Sequence, residues 1–378
     1  MKILLFGEYS GFFNQLKNGL LKNNCEVTLA ARQDGFKNYD VDINLEGSFW
    51  RKNPFNYIRQ GIFKLTSYDI VGLSIYYNFW KIKSKFTHFD VVLLINPFPL
   101  QTHPKLERQI LKFIFKNNKK VYLAACGDDY QYINYLNKSQ LPYTILDAYK
   151  KNSTLKSYFL DSIKYTKKAH KNLHEFVINN CKGVIAADID YDMAYKNSKK
   201  YLGYIPFPVT LEKLELTPQK SHDRIIIFHG INRLNYYKKG NHYFDEALKI
   251  IKLKYPEKVI ILRTENVSYT EYINSYNKAH IVLDQVYSYS QGYNALESMA
   301  KGKLVFSGAE KEWLEYFNVE ADTLLINAKP DIDYLVEKLD YFIQHPEKIV
   351  EIATNARAFV EKQHQDKAIA LKYLQCFN

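Results

Sequence analysis

Cysteine is scarce in this chain of 378 residues. Cys25, Cys126, Cys181 and Cys376 lie far apart and form no CxxC pair. That argues against a zinc site or a disulfide framework and for a reducing compartment. Long apolar runs are missing too: no segment approaches the roughly 18 residues that cross a bilayer. The opening "MKILLFGEYSGFF" has the outline of a signal peptide, but its apolar run is short and no small-residue cleavage site follows. A cytoplasmic protein is expected, with peripheral contact at the inner face of a membrane as an open option. Helix-turn-helix, RNP-like aromatic strand and zinc-finger patterns are also lacking, so no nucleic-acid partner is expected.

The hydrophobic fraction of 47% is ample for real cores, and the length suggests about two domains. Lys and Arg outnumber Asp and Glu by 52 to 40, a net charge of +12. Such an excess favours anionic partners: nucleotides, phospholipid head groups or an anionic membrane surface. Lys-Asn runs such as "KNNKK" and "KNSKK" read instead as solvated surface.

Apolar runs of strand type alternate with helical patterns. "KILLF" precedes a helix through "FFNQLKNGLLKNN", and "EVTLAA", "FDVVLLIN", "KVYLAACGDD" and "KGVIAAD" follow with helices between them. Residues 54–86 and 144–179 read as helical. Prolines and charge at 204–223 mark a connector, after which "RIIIFHG", "KVIILR", "HIVLD", "KLVFSG" and "DTLLIN" repeat the alternation. Fully apolar strands alternating with helices indicate parallel sheets covered on both faces. The expected class is α/β, with two doubly wound Rossmann-like domains facing a central cleft. The expected partition is an amino-terminal domain over 1–205, a linker over 206–222, a carboxy-terminal domain over 223–355, and a last helical segment over 356–378 that packs back on the first domain. Ligands of such sheets bind beyond the carboxyl ends of the strands.

Two stretches of the second half carry candidate chemistry. In "QGYNALESMAKGKLVFSG", residues 291–308, Gly292 lets the backbone approach a ligand, and Tyr293 and Asn294 open a helix whose unpaired N–H groups suit a diphosphate. Glu297 lies about one turn further in, where a carboxylate can accept bonds from two ribose hydroxyls; a solvated helix face is the competing reading. In "FHGINRLNYYKKGNHYF", residues 228–244, Arg233 offers a bidentate grip and Lys239 a point charge for a pyrophosphate. Gly230 and Gly240 relieve the loop on either side. Lys238 can take the role of Lys239, and a plain basic turn remains the alternative. His229 reads as a packing residue.

This pattern resembles the donor half of GT-B glycosyltransferases, most nearly the family-4-like group that uses nucleotide sugars. The resemblance implies a nucleotide-sugar-binding carboxy-terminal domain and an acceptor-side amino-terminal one. It assigns the donor diphosphate to Arg233 and Lys239, the ribose to Glu297, and the phosphate neighbourhood to Gly292–Asn294. It further implies hexosyl transfer with retention to a hydroxyl of a glycan or lipid-linked acceptor, in cell-surface polysaccharide synthesis. The family commonly carries a second acid eight residues before the helix Glu; that position here is Tyr289, with Gln291 or Asp284 as substitutes of unusual spacing.

The first half offers "GEYSG", where Gly7 and Gly11 resemble the family's glycine-bearing cleft loop, and "ACGDD", where Asp129 matches its Asp and Cys126 replaces its His. Asp129 reads as a proton acceptor for the acceptor hydroxyl or as a helix cap. His103 in "QTHPK" is a second strand-end catalytic candidate. No cofactor or metal is expected: "DID" at 188–190 has a metal-binding spacing but reads as a helix-entry turn. The rival functions are a nucleotide-sugar epimerase of the same architecture and a non-catalytic nucleotide-sugar-binding protein.

Overall fold

A computed structural model describes residues 1–32, 39–66, 69–217, 224–265, 267 and 269–377. The apolar runs become parallel strands. One sheet contains β1 (Lys2–Phe6), β2 (Glu26–Ala31), β3 (Ile43–Asn44), β4 (Val91–Leu94), β5 (Lys120–Ala125), β6 (Val184–Ala186) and β7 (Tyr201–Tyr204), in the order β3-β2-β1-β4-β5-β6-β7. The other contains β8 (Ile225–Ile231), β9 (Val259–Glu265), β10 (Ile281–Leu283), β11 (Leu304–Ser307) and β12 (Ile326–Asn327), in the order β12-β11-β10-β8-β9. Every pairing between these strands is parallel.

The chain forms two compact units. One comprises Met1–Tyr135, Ser162–Pro208 and Asp366–Asn378; the other comprises Leu136–Asp161 and Val209–Gln365. This division is more interleaved than a single linker at 206–222, of which residues 218–222 lie outside the described residues. The helical stretch Leu136–Asp161 belongs with the carboxy-terminal strands because its aromatics pack there. Tyr143 lies against Tyr289 with ring centroids 5.3 Å apart, and Tyr158 meets Tyr237 edge-on at 4.9 Å.

The second sheet shows why the interior stretches of its strands are apolar on both faces. Ile227, Ile281 and Leu283 point into one cluster with Phe244, Leu248, Leu335 and Leu339 from the helices Asn241–Lys254 and Ile332–Gln344. Their neighbours Phe228 and Val282 point into an opposite cluster with Tyr276 from the helix Tyr269–Lys278. Alternate residues therefore bury on opposite faces, and neither face can be polar.

In the first unit, β1 lies inside the sheet between β2 and β4, and its Phe6 packs edge-on against Phe79 and Phe86. The final helix, Asp366–Phe377, lies along the first, Phe12–Lys22. Lys22 pairs with the buried Asp366 at 2.9 Å, and Lys120 donates to the Phe377 carbonyl at 2.8 Å. The approach is close because residue 19 is glycine: a Cβ there would stand 2.1 Å from the Asp366 carbonyl oxygen. Gly19→Ala is expected to lower the unfolding free energy by about 1–3 kcal/mol, since backbone must move to admit the methyl group. Gly61→Ala is the control, since a Cβ there meets nothing within 4 Å. Urea denaturation of the two variants checks the difference.

Candidate functional site

In the second unit the chain leaves β8 toward β9 on one side and, later, returns as β10 on the other. The carboxyl ends of β8 and β10 thus form the switch point at which such sheets bind ligands. Three segments meet there. The turn after β8 carries Lys239, the residue after β10 is Asp284, and the helix Tyr293–Ala300 begins just beyond. Lys239 Nζ lies 2.8 Å from Asp284 Oδ1, and Asn294 Nδ2 donates to the same oxygen at 3.2 Å. Ser307, at the end of β11, donates to Asp284 Oδ2 at 3.2 Å. Tyr272 donates its hydroxyl proton to Asn294 at 3.1 Å. The turn is clamped from behind: Val286 N–H donates to the Lys239 carbonyl at 2.8 Å, and Gly240 adopts a left-handed φ of 73° beside Val286. A side chain at Gly230 would strike the Tyr272 ring at 2.7 Å, and one at Gly292 would meet Gln285 at 3.0 Å.

The helix Tyr293–Ala300 starts at Gly292, which has no side chain to cap the first-turn N–H groups. Ala295, Leu296, Met299 and Ala300 are fully buried and anchor it to the core. Its carboxyl end is held by Arg357, which donates to the Ala300 carbonyl and complements the helix dipole. Asn294 and Glu297 are three residues apart and so share a face. Glu297 is half-buried on that face, one turn behind the residue that touches Asp284. Burial, and then the charge of Glu297, push the Tyr276 hydroxyl well above its ordinary range.

Arg233 sits at the other end of the turn. Its guanidinium grips Glu265, the last residue of β9, in a bidentate pair with Nε 2.6 Å from Oε1, and stacks over Tyr236 at 4.5 Å. Arg263 also reaches Glu265, at 3.2 Å. The two cations are therefore held differently. Arg233 is in a partly exposed pair, and such pairs contribute at most about 1 kcal/mol, so exchange onto a phosphate costs little. Lys239 partners an acid only 3% exposed, but Asn294 and Ser307 keep Asp284 hydrogen-bonded if Lys239 turns to an anion.

Tyr289, at the position of the family's second acid, is buried; its hydroxyl donates to the Tyr143 carbonyl at 3.2 Å. Asp284 is committed to Lys239, and Gln291 is buried. An acid does stand beside Tyr289: Glu310 donates its N–H to the Tyr289 carbonyl and accepts the Tyr143 hydroxyl proton at 2.5 Å. The sequence held no sign of this contact, because Tyr143 comes from the distant stretch Leu136–Asp161. His229 is buried in the packing between Phe244 and Asp245.

The first unit has its own switch point between β1 and β4. Gly7 and Gly11 take left-handed φ values of 94° and 89°, so the loop between them curls tightly. Glu8 within it accepts N–H bonds from Gly11 and Asn14, each at 2.9 Å, and caps the helix Phe12–Lys22. Burial pushes the Glu8 carboxyl up to about 7. Asp129 is a cap as well. It accepts the Tyr132 N–H at 2.7 Å on one oxygen and the Tyr195 hydroxyl on the other, and burial raises it to about 7. Asp188 is the N-cap of the helix Ile189–Tyr195, as the entry-turn reading of "DID" expects. His103 is the N-cap of the helix Pro104–Asn117, its Nδ1 accepting the Lys105 N–H at 3.4 Å. The structure thus gathers Gly230, Lys239, Gly292, Tyr293, Asn294 and Glu297 around one end of the second sheet, with Arg233 at the far side of the same turn. Gly7, Gly11, His103 and Asp129 belong to the other unit.

Two outcomes are expected. Lys239→Met leaves Asp284 buried without its counter-charge and lowers the unfolding free energy by about 3 kcal/mol. Arg233→Ala, which breaks only the partly exposed pair, lowers it by less than about 1 kcal/mol. Urea denaturation distinguishes the two. For Asp129, the native state keeps a proton that the unfolded chain has released, so the group's contribution is full below its ordinary value of 3.8 and is lost as pH rises through about 7. Asp129→Asn keeps the cap and cannot ionise. Its stability relative to the parent is expected to rise between about pH 4 and about pH 7 and to level off above that, followed by denaturation at each pH.

The profile of the family described as glycosyl transferase-like matches residues 227–375, the stretch that contains this arrangement. The comparison with curated proteins gave no match. Among solved structures, the chain is similar to sucrose-phosphate synthase from Thermosynechococcus elongatus, with 15% identity, 100% of this chain and 98% of that one covered, and a TM-score of 0.63. It is similar to HepE from Anabaena, solved with UDP-glucose, at 13% identity, 100% and 99% coverage and a TM-score of 0.54. A glycosyltransferase from Rickettsia africae matches at 15% identity, 100% and 97% coverage and a TM-score of 0.51. Residues 227–375 thus match the glycosyl transferase-like family, and the chain has a GT-B fold.

Proposed function

We propose that the enzyme moves a sugar from a nucleoside diphosphate sugar to a hydroxyl of a glycan or lipid-linked acceptor in cell-surface polysaccharide synthesis, working in the cytoplasm at an anionic membrane surface. The observation that carries the donor assignment is the meeting of Lys239, Asp284 and Asn294 at the start of the helix that bears Glu297. Departure of the anionic diphosphate is the difficult event. Lys239, Arg233 and the first-turn N–H groups after Gly292 stand where that charge would develop, and a preorganised array of this kind lowers the barrier most. Glu297, one turn behind, takes the ribose hydroxyls. In this reading the bond from the anomeric carbon to the diphosphate oxygen breaks as the acceptor oxygen bonds to that carbon. With retention, the departing phosphate takes the acceptor proton. The charge is assigned to protein groups, with no metal. The neighbour solved with UDP-glucose makes a uridine donor the first to test.

A thermal-shift panel of nucleotides and nucleotide sugars identifies the donor; turnover is then followed with that donor. Glu297→Ala and Arg233→Ala are each expected to weaken donor affinity or lower turnover at least about tenfold, a loss of about 1.4 kcal/mol. Turnover is expected to persist in a chelator. Unchanged affinity and turnover in both variants would overturn the donor-site assignment. Release of an altered nucleotide sugar without acceptor would identify an epimerase instead.

A further inference from the structure

Far from the donor site, the first unit exposes an unusual set of large apolar side chains. The 3-10 helix Ser48–Arg51 and the helices Phe55–Thr66 and Val71–Lys81 present Phe49 (54% exposed), Tyr57 (69%), Ile58 (51%), Leu73 (57%) and Tyr77 (66%). Leu73 and Tyr77 are four residues apart and so form one stripe along their helix. Phe49 joins that stripe: it lines, with Leu73, Ser74 and Tyr77, a groove of about 390 Å³. On its other side Leu73 lines a second hollow of about 360 Å³ with Ile70, His103 and Leu106. Leu73 thus lines both hollows, with Glu46 and Asn78 adding polar groups to the first and Asp69 to the second, so its neighbouring hydrophobes are grouped rather than scattered singly.

Charge is concentrated on the same stretch. Residues 48–85 carry seven basic residues, Arg51, Lys52, Arg59, Lys64, Lys81, Lys83 and Lys85, against one acid, Asp69. The excess is +6, half of the net +12 of the whole chain. The acids at this surface are already matched by arginines: Arg51 lies 3.0 Å from Glu46, and Arg59 grips Asp69 at 2.8 Å. Lys81, which continues the Leu73–Tyr77 stripe by another four residues, is exposed, as are Lys52, Lys83 and Lys85. Lys83 also stands over the Trp80 ring at 5.5 Å. Apolar side chains rimmed by lysines and amphipathic aromatics suit a surface with an oily interior and anionic heads.

We propose that this face, centred on Phe49, Leu73 and Tyr77 and rimmed by Lys52, Lys81, Lys83 and Lys85, seats the first unit on an anionic lipid bilayer. It names the surface for the membrane contact proposed above and rests on that contact, but it is independent of the donor assignment. No described helix is long and apolar enough to cross a membrane. The lysines supply long-range attraction that salt screens, and the apolar stripe supplies the short-range insertion that salt leaves intact.

The test is co-sedimentation of the full chain with vesicles of phosphatidylcholine alone or mixed with phosphatidylglycerol. The wild type is expected to bind the mixed vesicles and to release as salt rises. Leu73→Ser with Tyr77→Ser is expected to weaken binding at least about tenfold. Lys81→Gln with Lys83→Gln and Lys85→Gln is expected to weaken it at least about tenfold and to flatten the salt dependence. All five positions are exposed, so unchanged thermal midpoints certify the folds. Failure of the wild type to bind either vesicle overturns the membrane contact itself. Equal binding by both variants overturns this face while leaving the contact standing. If the serine pair instead abolishes a dimer seen by sedimentation and leaves vesicle binding intact, the face joins two copies of the chain and the proposal fails. None of these readouts uses the nucleotide donor, so they stand apart from the donor-site tests.

Discussion

The pair between Lys239 and Asp284 organises the carboxy-terminal unit. A lysine at the end of a loop is ordinarily a mobile charge that loses considerable side-chain entropy when it is fixed. Here a buried carboxylate fixes it, and that carboxylate is itself positioned by the end of β10, by Ser307 from β11 and by Asn294 from the following helix. Three consecutive strands of the sheet thus have their carboxyl ends tied to one acid. The amino end of the helix and the cation are held on the same atom, Asp284 Oδ1, so neither can drift without the other. In the proposed donor site, an anion arriving there would meet this cation and the helix start together.

The rest of the unit supports that arrangement. Two apolar clusters on opposite faces hold the five-stranded sheet, and a layer of tyrosines, Tyr143, Tyr287, Tyr289 and Tyr243, packs beside the loop after β10. Tyrosine suits this position because its ring buries while its hydroxyl finds a polar partner. The chain enters this unit for the second time at Val209 and leaves it after Gln365, and these two residues form a parallel bridge, with the Val209 N–H on the His364 carbonyl at 2.7 Å. Entry and exit are stitched together, and the final helix then returns to Phe12–Lys22 in the first unit.

The long apolar strands were legible in the sequence because strands covered on both faces have no polar alternate positions. "RIIIFHG" and "KVYLAACGDD" announce themselves for that reason. β3 and β7 were not legible: each is short, lies at a sheet edge, and carries partly exposed residues such as Ile43 and Tyr201. "DTLLIN" read as a full strand, yet only Ile326–Asn327 pairs, again at an edge. At the site, the glycines, Lys239 and Glu297 were visible as residue types after strand ends. The organising role of Asp284 was not, because its partners are 45, 10 and 23 residues away in sequence. The grip of Glu265 on Arg233 and of Glu310 on Tyr143 was hidden for the same reason. Local pattern reports which residues a strand end presents; the hydrogen bonds among them depend on the order of strands in the sheet.

The central claim is that a fixed cation and a helix start together form a pyrophosphate seat. Calorimetric titration with a nucleoside diphosphate and with its monophosphate addresses this directly, because the two ligands share base and ribose and differ in the phosphate that Lys239 and the helix would hold. The diphosphate is expected to bind at least about tenfold more tightly. Equal affinity for the two would contradict it.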